Sequence, residues 1–273
     1  MTILEITVLP PDVTLNTIPA SMHIQGRVIK ALILREVHTL YGNTKLGYLW
    51  ALFQLIFNIA IFWGIRYIVH AQTPNGMSML VYLMGGFIPW YLFNDTVARC
   101  MSAVGANLSL LTFPQVTELD LMVSRTIVVW GTQIVCAVIL LVMGLLVGES
   151  WRLYRPDALL ASLIFAPLLG FGTGLIAASM ARIYPTLEKI IPLFLRVLFF
   201  ASGIFFSPSN FPSKIAKYLM LNPVMQLIEW QRYGFSSTTN PPTYSIAYIA
   251  SWCIGSLVLG LLLERYVRGR PLK

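Results

Sequence analysis

The side chains able to do chemistry in this sequence are few and scattered. Cys100, Cys136 and Cys253 show neither metal-ligand spacing nor a disulfide framework. His23, His38 and His70 stand apart, with no H-E-x-x-H pair to hold zinc. No G-x-S-x-G nucleophile elbow is present, and no G-x-x-x-x-G-K-[ST] loop to cradle a nucleotide phosphate. Asp95 precedes Arg99 by one helical turn, the spacing of a local ion pair. Arg196 lies inside an apolar run, where a charge is costly and so often functional. The chemistry left is recognition, by isolated charges, amides and many aromatic rings.

The elements that must position these groups follow from the solvent. Of 273 residues, 57% are hydrophobic and 11% charged, with a mean hydropathy of +0.73. Soluble domains run nearer a quarter charged. So little polar surface cannot cover a globule of this size, and lipid must cover the rest. The first twenty residues carry neither the basic start nor the apolar core of a cleavable signal peptide. A bilayer asks for roughly 20 apolar residues per helix. Such runs occur near Leu46–Val69, Met79–Ala98, Ile127–Val147, Ala158–Ala181, Ile190–Phe206 and Tyr244–Leu263. Lipid leaves an open backbone no state but the helix. The expected fold is therefore an all-α integral membrane protein with six transmembrane helices.

Basic residues set the orientation. With the N-terminus inside, twelve Lys and Arg fall in cytoplasmic segments, among them Arg27, Lys30, Arg35, Arg99, Arg125, Arg182 and Arg265. Five fall outside: Arg152, Arg155, Lys214, Lys217 and Arg232. Both termini are expected in the cytoplasm, residues 1–45 as a head and 265–273 as a tail flanking the membrane domain 46–264. The net charge of +8 then reports orientation and implies no nucleic-acid partner.

Three segments outside the apolar runs carry information. Ser21–Leu40 reads as an amphipathic helix on the inner surface, with Arg27, Lys30 and His38 on one face and Ile29, Leu32, Ile33 and Leu40 on the other. Leu34 and Glu36 sit on the wrong sides of that pattern. The cytoplasmic connector 99–125 is long for a compact bundle and holds the apolar cluster Leu108, Leu110, Leu111 and Phe113 before Pro114. It suits docking to a soluble partner or resting on the membrane. Residues 208–234 are broken by Pro208, Pro212 and Pro223 yet stay apolar. Two short helices, Ser213–Leu221 and Pro223–Tyr233, are predicted there, re-entering from the outer face with Asn222 as cap and Pro223 in the first turn. Small residues recur every fourth position at Gly170, Gly174, Ala178 and again at Ala247, Ser251, Gly255, which suits close packing of helices in lipid.

These stretches resemble the membrane subunits of ABC exporters for capsular and O-antigen polysaccharides, the type-2 class, with the capsule branch nearest. The resemblance runs through Arg35-Glu36, Tyr41-Gly42 and Leu46–Trp50, then Asn107 and Phe113-Pro114, then Ser202–Pro208 and Asn222–Arg232. Gln226 stands where such proteins often have His or Tyr, and Leu110-Leu111 where a basic pair is common. The resemblance implies a homodimeric permease moving lipid-linked capsular polysaccharide, with no catalysis of its own. The alternatives are the same machinery exporting O-antigen, a lipid or a drug, and more distantly a membrane channel or an integral membrane enzyme. It implies a separate ATP-binding subunit pair that carries the ATP and magnesium, and periplasmic and outer-membrane export partners, in the inner membrane of a bacterium. It also implies roles. Asn107, Leu110, Leu111, Phe113 and Pro114 would couple to the ATPase. Arg27, Lys30 and Arg35 would hold the interfacial helix. Asn222, Pro223, Glu229 and Arg232 would shape the exit. Independently of the resemblance, the residues themselves suggest a conduit lined by Arg196 and by rings that can stack on sugars: Trp50, Trp90, Phe199, Phe200, Phe205 and Phe206.

Overall fold

The computed structural model describes residues 17–41, 47–68, 77–113, 115–146, 148, 151–235 and 244–268. Among these, all regular structure is helical: α1 Thr17–Tyr41, α2 Gly47–Ile68, α3 Met79–Met101, α4 Glu118–Leu146, α5 Pro156–Ile183, α6 Leu187–Ala201, α7 Ser213–Leu219, α8 Pro223–Phe235 and α9 Ile246–Arg268. Two 3-10 stretches, Gly105–Leu110 and Pro208–Asn210, interrupt the connections. By length and composition α4, α5 and α9 can each cross a membrane. The chain is an all-helical, multi-pass membrane protein. The expectations placed on Pro114, on residues 1–16 and on residues 269–273 fall outside the described residues.

Of the helix ends that differ from the hydropathy reading, two do so for a clear local reason. α4 begins at Glu118, nine residues before the apolar run. Thr117 and Asp120 form a capping box: the Asp120 carboxylate accepts from the Thr117 backbone N–H at 2.9 Å and its hydroxyl at 2.8 Å, and Thr117 Oγ1 accepts from the Asp120 N–H at 3.3 Å. The irregular part of the 99–125 connector is thereby shortened to Ser102–Thr117. At the other site α6 stops at Ala201, well before Pro208. Gly203, at φ +75, turns the chain there in the left-handed region that favours glycine.

The centre of the molecule is a slab of α3, α5 and α9 held at backbone distance. A Cβ added to Gly170 would lie 2.8 Å from the Phe93 carbonyl oxygen of α3. One on Gly172 would lie 2.4 Å from Ser256 Oγ, and one on Gly260 2.7 Å from Leu175 Cβ. The Gly170/Gly174 stripe thus packs inside one chain, against α3. The second stripe behaves otherwise: Ala247, Ser251 and Gly255 are exposed, while Ile249, Cys253, Ser256 and Gly260 form the buried face of α9. α8 is wedged into the slab and buries Val224, Met225, Leu227, Ile228 and Trp230, whereas α7 has no buried residue. α2 and α6 are lightly held. α6 buries only Leu195, and leaves Leu193, Phe194, Val197 and Phe200 between 59% and 63% exposed.

Candidate functional site

One end of the bundle gathers around α1. Glu36, which breaks the amphipathic pattern of that helix, is 8% exposed and pairs with Arg125 of α4 at 3.1 Å. Its neighbour Arg35 donates to Asn107 Oδ1 at 2.9 Å. Asn107 is itself buried, has non-helical angles (φ −132, ψ 29) and donates to the Ala103 carbonyl at 2.9 Å. Gln25 of α1 also donates to the Asp120 carboxylate. A second, partly covered pair, Arg182 to Glu118 at 2.6 Å, ties the end of α5 to the start of α4. Arg27 and Lys30 remain exposed on α1.

The coupling candidates divide. Leu110 and Leu111 turn inward, onto a cluster of Leu32, Cys100, Leu121, Met122 and Leu175. Asn107 is covered as well, so none of the three offers a surface knob. Phe113 and Leu108 face out, 58% and 50% exposed. Leu108 stands at the rim of a cavity of about 300 Å³ that also exposes Glu118, Arg182, Glu188 and Glu264.

At the opposite end, α8 and the turn after α6 form a cage around Arg232. Its guanidinium donates to the carbonyls of Ile204 at 2.7 Å, Gly203 at 2.9 Å, and Tyr82 and Phe206 at 3.3 Å, and to the Glu229 carboxylate at 3.0 Å. It also lies 3.8 Å over the Tyr82 ring and is 3% exposed. The sequence places Arg232 among the external loop charges; the structure makes it an internal tie, because the carbonyls freed where α6 ends need donors. Glu229 further accepts from the Ser207 hydroxyl at 3.1 Å. Asn222 caps α8 by accepting from Val224 N–H at 3.0 Å and reaches back to the Ala201 carbonyl at 3.3 Å. Gln226 uses both ends of its amide, donating to the Met220 carbonyl at 2.6 Å and accepting from Ser245 N–H at 2.9 Å. Pro223 opens α8, as its missing N–H permits.

The rings fall into two groups. Trp90 is 4% exposed and packs edge-on to Phe199 at 5.4 Å; Phe205 lies 4.2 Å from Phe62 and 5.3 Å from Phe199, with Phe87 behind. Trp90 is core in this chain, a correction to its expected lining role. Phe206 turns aside to Phe211 at 5.4 Å. Phe200 and Trp50 are exposed, 59% and 67%. Arg196 is exposed on α6 and makes no hydrogen bond or ion pair among the described residues. Asp95 does not form the expected ion pair with Arg99. Its carboxylate accepts from Asn94 at 3.1 Å and from Gln133 of α4 at 3.3 Å. Sequence reasoning missed Gln133, Glu36 and Glu118 as partners; the misplaced Glu36 was the one visible signal.

Lightly packed helices α2 and α6 thus stand beside a closely packed slab of α3, α5 and α9. Residues 27–236 match the ABC-2 type transporter membrane family, more than half of the chain, and the protein belongs to that family. Among its relatives is the polysialic acid transport protein KpsM of Escherichia coli, 28% identical over 247 residues, 90% of this chain and 95% of the relative. The capsule polysaccharide export inner-membrane protein BexB of Haemophilus influenzae is 28% identical over 256 residues, 92% and 94% of the two chains. The O-antigen export system permease protein RfbA of Klebsiella pneumoniae is 24% identical over 220 residues, 78% and 82%.

Proposed function

We propose that this protein is the permease subunit of an ATP-driven exporter that carries lipid-linked capsular polysaccharide from cytoplasm to periplasm. The similarity to capsule-export proteins along nearly the whole of both chains carries the reading. Six spans, α2 to α6 and α9, cross the inner membrane of a bacterium. The α1 end faces the cytoplasm with both termini, and α7 and α8 re-enter from the periplasmic side. Two copies work together, because α6 presents an apolar face that its own chain leaves uncovered, and two subunits about a twofold axis can share one polymer-wide path. A separate ATP-binding subunit docks on Phe113 and Leu108 and brings ATP and magnesium. Its closure shifts the pair of permeases between packings as rigid bodies. Periplasmic and outer-membrane export proteins receive the polymer. O-antigen is the second reading of the cargo, supported by the similarity to RfbA and ranked second because that similarity is the lower one. The reading is tested by purifying the permease with its ATPase and adding lipid-linked polysaccharide. Copurification with polymer-stimulated ATP hydrolysis is expected; a permease that purifies alone and unresponsive overturns it.

The orientation has its own test. Single cysteines replacing Asn75, Asp157 and Asn210, in a background without the native three, are expected to react with an impermeant thiol reagent from the periplasm. Cysteines at Thr44, Gln115 and Lys273 are expected to stay protected until the inner membrane is opened. Periplasmic labelling at Gln115 reverses the orientation and removes the coupling argument with it.

Arg196 is expected to act on cargo or on the second subunit, since an unpaired guanidinium in a lipid span costs about 3 kcal/mol on insertion scales. Arg196→Gln removes the charge and leaves a shorter, neutral polar side chain. Export is expected to fall to background with permease abundance unchanged, measured by surface polysaccharide and membrane immunoblot. Normal export reduces Arg196 to a side chain snorkelling to a headgroup.

A further inference from the structure

The outward side of α2 carries two rows that belong together. Trp50, Phe53 and Phe57 form a continuous ladder, with ring centroids 5.7 and 5.8 Å apart and planes within 29° and 19° of parallel. All three are more than half exposed, at 67%, 54% and 53%. One residue along each step, Gln54 and Asn58 make a polar row beside the ladder at helical spacing. Asn58 fastens that row to α3, donating to the Tyr91 hydroxyl at 2.6 Å and to the Gln54 carbonyl at 2.9 Å. On α3 the same face continues with Asn94 and Asp95, both half-buried. Asp95 lies six residues before the end of α3, about 9 Å into the helix at 1.5 Å per residue.

Lipid cannot satisfy such a row. A carboxylate and several amides at that depth require water, protein or a hydroxylated ligand. Among the described residues one group there lacks a partner: the Gln133 Oε1 atom is buried without a donor, while its Nε2 donates to Asp95. The ladder alone would suit lipid, and the amides alone would suit helix packing. Side by side they match a sugar chain, whose C–H faces stack on rings and whose hydroxyls exchange bonds with amides and carboxylate.

We infer that α2 and α3 carry a carbohydrate track in the cytoplasmic half of the membrane, with Trp50, Phe53 and Phe57 as the stacking row and Asn58, Asn94 and Asp95 as the hydroxyl-binding row. Gln133 positions the Asp95 carboxylate. The inference rests on the proposed polysaccharide cargo, and it places the first contacts of the glycan on α2 and α3, away from the phenylalanines after α6.

The test uses the permease–ATPase complex in cells, with Cys100, Cys136 and Cys253 replaced and a single cysteine introduced by Asn58→Cys or Asn94→Cys. Inside-out vesicles are treated with a small cationic methanethiosulfonate, from cells that make the polysaccharide and from cells lacking its polymerising enzyme. Both cysteines are expected to react, and to react several-fold more slowly when polymer is present. Val135→Cys, exposed on α4, is expected to react only with a lipid-soluble reagent. No reaction with the cationic reagent would put the row against lipid or buried protein and overturn the track. Equal rates with and without polymer would leave a wet crevice that holds no glycan, and overturn it as well. If the wild-type complex exports no polysaccharide, the proposed function fails first. If export is intact and the cysteines go unprotected, only the track fails.

Discussion

Arg232→Leu is expected to remove the permease from the membrane. The side chain answers four backbone carbonyls and the Glu229 carboxylate at once, and leucine answers none. The freed acceptors would stay buried between α3 and α8, because Gly85 and Gly86 bring α3 against the arginine itself. Breaking a buried charged network by deleting one partner costs roughly 3–5 kcal/mol. That is a large part of the 5–15 kcal/mol that typically separates folded from unfolded states. Immunoblots of membranes should show strongly reduced protein, and surface polysaccharide should be lost with it. Arg232→Lys should fall between, since an ammonium cannot spread its donors over a planar fork. Wild-type abundance and melting in the leucine variant would show that the cage is dispensable.

Phe113→Asp is expected to produce the opposite pattern, with full abundance and no export. Phe113 is 58% exposed, so its own chain loses little by the change. At a desolvated contact with the ATPase, an unpaired carboxylate costs several kcal/mol by order of magnitude. Copurification of the ATPase should therefore collapse. Leu111→Asp supplies the contrast, because Leu111 packs on the cluster around Leu32 and Met122 and its replacement should reduce the permease itself. Unchanged copurification and export with aspartate at 113 would move the docking site elsewhere.

Much of the architecture is legible in the sequence because lipid imposes a simple rule, a helix wherever an apolar run is long enough. The short helices α7 and α8 are legible for a different reason: prolines at 212 and 223 start them, and Asn222 caps the second. The two misread ends come from signals that compete with hydropathy. Thr117 and Asp120 start α4 in polar sequence, and Gly203 stops α6 in apolar sequence. Partners were the least legible. Glu36 and Arg125 are far apart in the chain, as are Asp95 and Gln133, and only tertiary packing brings each pair together. Burial of Trp90 against exposure of Trp50 is equally invisible in composition, since both sit in apolar helices and differ only in which neighbour covers them.

The glycine contacts among α3, α5 and α9 bear on how such a protein can change its cargo. At Gly170, Gly172 and Gly260 even one added methyl group would strike a neighbouring helix, so substitution there is closed. α2 and α6 touch the slab through few side chains, with Leu55 and Ile59 buried on one and Leu195 on the other. On their outward faces Trp50, Phe53 and Phe57 of α2 and Leu193, Phe194 and Val197 of α6 are more than half exposed, and such positions can be rewritten without disturbing the slab. Tolerance to mutation is therefore divided by helix: a frozen chassis beside two panels free to diverge, so that a lineage meeting a new polysaccharide could refit the panels while the fold stays put.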